Sequence, residues 1–104
     1  MKQENFTVDI DVDLEDLIPD FLQNKRNEIG IIRASLNEDD FENIARIAHK
    51  IKGSGGGYGF TEMSKIAQMI EVSTKAKNKE EISNLLDRFI YYMDNLEIVY
   101  KEIW

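Results

Sequence analysis

The chain has 104 residues, 42% hydrophobic and 32% charged, with a formal net charge of −7 and no cysteine. That length holds one domain with one core. The missing thiols exclude a disulfide framework and any thiolate metal site, and they fit a reducing cytosol, so a cytoplasmic location is expected. The acidic balance argues against nucleic acid and against an anionic membrane as partners. No stretch reads as a signal peptide, and none approaches the roughly 18 apolar residues of a membrane span.

Residues 1–12 read as an arm. Phe6, Val8, Ile10 and Val12 alternate with polar residues in a strand-like pattern. No partner strand is evident elsewhere, so the segment is expected to be an extended N-terminal arm or linker ahead of a helical domain over residues 13–104. A first helical stretch spans about 13–36. Its apolar stripe is Leu14, Leu17, Ile18, Phe21 and Leu22, resumed by Ile29, Ile32 and Leu36. Pro19 has no amide hydrogen and clashes with a preceding turn, so the spacing predicts a short turn before it and the main helix after it.

A second helix starts at Asp39 or Asp40, either of which can cap it. It turns Phe41, Ile44, Ala45, Ala48 and Ile51 to the core and leaves His49 at the edge of that stripe. The glycine run Gly53–Gly59 is expected to end it, since glycine is a poor helix former. A third helix is predicted from Thr61 as N-cap, burying Met63, Ile66, Ala67 and Ile70 and fading over residues 75–79. A fourth starts at Asn78, with Glu81 placed for a capping box. Its stripe of Ile82, Leu85, Leu86, Phe89, Met93, Leu96, Tyr100 and Ile103 repeats at threes and fours over about six turns. Four amphipathic helices with short links predict an all-α, antiparallel up-down four-helix bundle.

The chemistry concentrates in one run, His49-Lys50-Ile51-Lys52-Gly53-Ser54-Gly55-Gly56-Gly57-Tyr58-Gly59, which holds the single histidine and five of the six glycines. On a helix, positions three and four residues on lie beside a given residue, so Lys52 and Gly53 flank the His49 ring. A ring with a cation on one side and bare backbone on the other is open to a bulky anionic partner. Competing readings fit less well. The run matches neither the dinucleotide fingerprint nor the Walker pattern, and a helix precedes it where both need a strand. A structural metal site needs several ligands, and there is no second histidine. A hydrolytic triad lacks a nucleophile elbow around Ser54. A surface histidine with no role is the bland alternative. Given His49, chance placement of Lys, Gly, Ser and Gly at these offsets has odds of roughly one in several tens of thousands, at about 5–7% usage each.

His49-x-x-Lys52-Gly53-Ser54-x-x-x-x-Gly59 resembles the signature of histidine-containing phosphotransfer (HPt) domains, and it falls at the end of the second of four predicted helices, as in that family. The resemblance implies a phosphorelay intermediate of two-component signalling. His49 would accept a phosphoryl group from a receiver-domain aspartate and pass it to another receiver. Lys52 and Gly53 would be its immediate neighbours, and Arg46, one turn earlier, could share the compensation of charge. The partners implied are response-regulator receiver domains and possibly a hybrid sensor histidine kinase. The chain is then a carrier and not an independent enzyme. No cofactor or metal is expected on it, because phosphoryl transfer needs Mg²⁺ and the receiver should bring that ion. In the family a polar side chain of the third helix often holds the histidine ring. The matching offset lands on Glu71, with Gln68 one turn earlier as the alternative. A carboxylate there also favours the non-nucleophilic imidazolium. The docking surface is expected to include Lys50, Ser54, Tyr58, Gly59 and parts of the first helix. The alternative function is a non-catalytic module that binds a receiver or a helix without accepting phosphate.

Overall fold

Pro19 sets where the first helix begins. In a computed structural model, which describes residues 5–102, a 3-10 turn over Val12–Leu17 leads into α1, Ile18–Asn37, with Pro19 in its first turn. There its missing amide costs nothing. α2 follows over Phe41–Tyr58, α3 over Thr61–Lys75 and α4 over Lys79–Asp94. The caps expected of short polar side chains are present: Asp40 accepts from the Asn43 amide at 3.1 Å, and Asn78 accepts from the Glu81 amide at 3.1 Å. Thr61 is not a cap. It is the first helical residue of α3, and Phe60, fully buried, stands in the cap position without a side-chain hydrogen bond.

Three of the helix pairs are pinned by side chains whose partners run in opposite chain directions. Across α1 and α2, Asn43 donates to Ser35, Lys50 faces Glu28, and Tyr58 packs on Phe21. Across α2 and α3, His49 meets Glu71 and Ser64 donates to the Lys52 carbonyl. Across α1 and α4, Arg33 pairs with Asp87 and Arg26 with Asp94. The four apolar faces close on one core in which Ile32, Ile44, Ile51, Ile66, Ile70, Ile82 and Phe89 are fully buried. Burying such side chains contributes roughly 1.5–3 kcal/mol each.

Two further expectations are corrected. The glycine run does not end α2; the helix continues through Gly53, Gly55, Gly56 and Gly57 to Tyr58. Interior glycines cost about 1 kcal/mol each against alanine, and tertiary contacts offset this. A Cβ on Gly55 would sit 3.3 Å from the Met63 sulfur, so glycine there lets α3 approach closely. The end is closed by a Schellman motif. The Phe60 amide donates to the Gly55 carbonyl at 2.8 Å and the Gly59 amide to the Gly56 carbonyl at 3.1 Å, with Gly59 at φ 96°.

The second correction concerns the termini. The segment with Phe6, Val8 and Ile10 does have a partner. β1, Phe6–Asp11, pairs in parallel with β2, Leu96–Lys101, in the register Phe6↔Leu96 to Asp11↔Lys101. α4 therefore stops at Asp94, and Leu96 and Tyr100 belong to a strand and not to a helical stripe; Ile103 lies outside the described residues. Asn95 breaks the helix by donating its side-chain amide to the Tyr91 carbonyl at 2.7 Å. The following Leu-Glu-Ile-Val-Tyr is rich in β-formers and turns Leu96, Ile98 and Tyr100 to the core. The sheet roofs Tyr92, whose ring lies 5.2 Å from Phe6. The Tyr92 hydroxyl is buried without a hydrogen-bond partner. Burial, with the charge of Glu62 adding to it, pushes its pKa up to about 12.

Two tests follow from this packing. Gly57 has open space where a Cβ would go, whereas Gly59 has positive φ and Ile10 Cδ1 3.4 Å away. Gly57→Ala should stabilise the fold by about 0.5–1 kcal/mol and Gly59→Ala should destabilise it by about 1–2 kcal/mol in urea unfolding. Tyr92 has a folded pKa of about 12 against the ordinary 10.0. The unfolded chain then loses this proton first, and stability present below pH 10 should fall between pH 10 and 12. Tyr92→Phe should lessen that loss in thermal melts and leave neutral-pH stability equal or higher, because it deletes an unpaired buried hydroxyl.

Candidate functional site

α2 carries His49 on its ninth residue, beside the buried pair Ile47 and Ala48, so the ring stands at the rim of the core. Its side chain is 71% exposed. Nδ1 lies 3.1 Å from Glu71 Oε2 on α3. An ionised carboxylate only accepts hydrogen bonds, so this contact places the proton of a neutral ring on Nδ1 and leaves the Nε2 lone pair free. Glu71 is itself held on a half-buried ridge, its side chain 26% exposed and its carbonyl accepting from Thr74 Oγ1 at 2.6 Å.

The alignment of α2 and α3 makes this pair. The Schellman bonds fix the link between the helices, Gly55 seats against Met63, and Ser64 Oγ donates to the Lys52 carbonyl at 2.8 Å. About two turns further along α3, Glu71 comes level with His49. Gln68 lies on the exposed side of α3, one turn from Glu71, and makes no hydrogen bond to His49. Of the two α3 side chains considered from sequence, Glu71 is thus the one in contact with the ring.

Around the ring, helix spacing places Lys52 and Gly53 on the following turn and Arg46 on the preceding one. Among the described residues the Lys52 ammonium has no ion-pair partner, while its carbonyl is engaged by Ser64. Arg46 donates to Asn43 Oδ1 at 2.6 Å on the exposed face. Among the described residues, nothing beyond the adjoining backbone of α2 lies within 4 Å of a Cβ built on Gly53. The fold itself does not require glycine there; what a side chain would fill is the open space beside His49.

The residues named for docking fall into two groups. Lys50 is exposed beside His49 and faces Glu28 at 3.7 Å. Ser54 Oγ donates to the Ile51 carbonyl at 3.4 Å, one turn past His49. Tyr58 and Gly59 lie near the far end of α2, where Tyr58 packs 4.4 Å from Phe21 and Gly59 closes the helix. Sequence reading did not find the group beneath Lys50. Glu28 also pairs with Lys25, which is 5% exposed with its ammonium 5.1 Å from the Phe21 ring centroid. The spacing of Lys25 and Glu28 permits that pair, but only the tertiary fold shows that it is buried. No group of three or more His, Cys, Asp or Glu able to hold a metal occurs among the described residues. No described helix is long and apolar enough to cross a membrane.

The tautomer can be tested directly. In ¹⁵N-resolved spectra of the His49 ring, the neutral form should carry its proton on Nδ1. Glu71→Ala should lower that population in favour of the Nε2–H form, while Gln68→Ala should leave it unchanged.

In comparison with known proteins, the Hpt domain family model matches residues 16–98. No curated protein and no solved structure matches the chain.

Proposed function

The chain belongs to the Hpt domain family, the phosphotransfer modules of two-component phosphorelays, and from that premise we propose that His49 is its phosphoacceptor. The observation that carries this reading is the His49–Glu71 contact: one ring nitrogen is occupied and the other is free on an exposed face.

The Nε2 lone pair attacks the phosphorus of an aspartyl phosphate on a receiver domain. The N–P bond forms, the bond from phosphorus to the acyl oxygen breaks, and the receiver regains its carboxylate. No proton leaves Nε2, because the tautomer already presents it unprotonated. The ring ends as a cation bearing hydrogen on Nδ1 and phosphoryl on Nε2, with Glu71 opposite the positive charge. A phosphoryl group brings roughly −1.5 to −2 charge units, and Lys52, without an ion-pair partner among the described residues, is placed to meet it; Arg46 can contribute from the preceding turn. Gly53 keeps the approach low enough for the acidic pocket of a receiver. Mg²⁺, required for the transfer, belongs to that receiver. The second receiver takes the group by the reverse step. A hybrid sensor histidine kinase is a fitting source for the first.

Intact-mass spectrometry tests this. Exposure to phosphoramidate, or to a receiver charged with acetyl phosphate and Mg²⁺, should add one acid-labile phosphoryl group to the parent and none to His49→Gln. Gly53→Leu should fold and still label with phosphoramidate, but should slow transfer from a receiver on the order of 10–100-fold. Absence of any adduct would favour a receiver-binding module that does not carry phosphate.

A further inference from the structure

The strand pair at the chain ends leaves one edge open. The Phe6 amide donates to the Asn95 carbonyl at 2.9 Å. With the parallel register fixed from there, the backbone groups of Glu97, Val99 and Lys101 face β1, and those of Leu96, Ile98 and Tyr100 face away. Among the described residues no backbone group takes up the outward-facing set, and the sheet has only two strands. At the outer edge of β1 the end of α2 comes close at one point, where the Asp9 carbonyl oxygen lies 3.7 Å from where a Cβ of Gly59 would stand. β2 carries no proline, and only its outward-pointing Glu97 and Lys101 are charged. A six-residue, β-prone edge with no proline and no covering strand is a template for another strand, provided its charges meet opposite ones.

We propose that the β2 edge pairs with the β2 edge of a second copy of this chain, antiparallel, about a two-fold axis through Val99. Charge selects both the occupant and the register. With Val99 on the axis, Glu97 faces Lys101 of the second copy, and Lys101 faces its Glu97. Moving the axis to Ile98 or Tyr100 sets Val99 against one of the two charged residues and loses both ion pairs. Hydrogen-bond parity agrees. Ile98 and Tyr100 of the second copy, whose backbone groups already point outward, form the bonded pairs. Glu97 with Lys101 and Val99 with itself form the non-bonded pairs, where side chains come closest. Lys101 already donates to Asp9 at 3.2 Å within the chain. A row of alternating charge, Asp9, Lys101 and then Glu97 of the second copy, would therefore cross the extended sheet.

A six-residue strand pair buries well under the roughly 1,200 Å² of a stable interface, so the association is weak, with Kd in the range of about 10 μM to 1 mM. His49 stands ten residues before Gly59, about 15 Å along α2 from the end that the sheet packs against. The pairing thus leaves the histidine faces of both copies open and joins two carriers in one particle.

Sedimentation equilibrium from about 10 μM to 1 mM tests this, and charge reversal identifies the edge. Glu97→Lys sets like charges opposite each other at both pairs and should weaken self-association about tenfold or more; Lys101→Glu should do the same. Mixed one to one, the two variants regain opposite charges at both pairs, and a heterodimer should form more tightly than either variant alone. Lys101→Glu also removes the contact with Asp9, so Val99→Asp serves as a second disrupting variant that keeps it, and circular dichroism confirms that each variant is folded. A parent that stays monomeric at 1 mM would overturn the proposal. So would Glu97→Lys and Val99→Asp associating like the parent, or a mixture no tighter than its components.

Discussion

The site depends on the register between α2 and α3. That register is anchored two to three turns from the His49–Glu71 pair, where the Phe60 amide reaches the Gly55 carbonyl and Gly55 seats against Met63. From that anchor, Ser64 falls on the Lys52 carbonyl and Glu71 on His49. A one-residue slip of α3 would rotate its side chains by about 100° and replace Glu71 with a neighbour that faces core or solvent. Cores are close-packed and tolerate little sliding, so the glycine that admits Met63 also determines, at a distance, which nitrogen of the histidine is free.

The glycines do different work, and their environments separate them. Gly55 and Gly59 are required by the fold, one for close approach of a helix and one for a left-handed backbone. Gly53 and Gly57 are not, since a Cβ at either position meets nothing among the described residues beyond the adjoining helix backbone. A helix that carries unneeded glycines is less stable than it could be. At Gly53 that loss is accounted for by what must come from outside, under the proposed transfer. At Gly57 the structure offers no reason.

Much of this was legible in the sequence because it is local. Asp40 and Asn78 cap helices through side chains three residues from their partners, Pro19 marks a first turn, and the stripes of α2, α3 and α4 up to Met93 repeat at helical period. The motif around His49 is local too. What did not show was non-local. Leu96 and Tyr100 continue the spacing of α4, and the same residues with Ile98 also alternate as a strand. Only a partner 90 residues earlier in the chain decides between the two. The helix through the glycines was missed for the same reason, since propensity opposes it and packing against α3 outweighs propensity. Glu71 and Gln68 differ by one turn, and the choice between them needed the register of two helices, which no single-helix pattern contains.

The pairing of a carboxylate with a cation around one ring has a consequence for the proposed carrier. Under that proposal the two side chains address different parts of one phosphorylated group: Glu71 faces the ring cation that the new N–P bond leaves behind, and Lys52, on the next turn, is placed toward the phosphoryl charge. Both side chains are partly exposed, so each effect is modest. A glutamine in place of Glu71 would hold the Nδ1 proton with less support for that cation, and a neutral residue in place of Lys52 would leave the phosphoryl charge to Arg46 on the preceding turn. In the proposed transfer the carboxylate thus selects the attacking nitrogen beforehand, and the two opposite charges share the product afterwards.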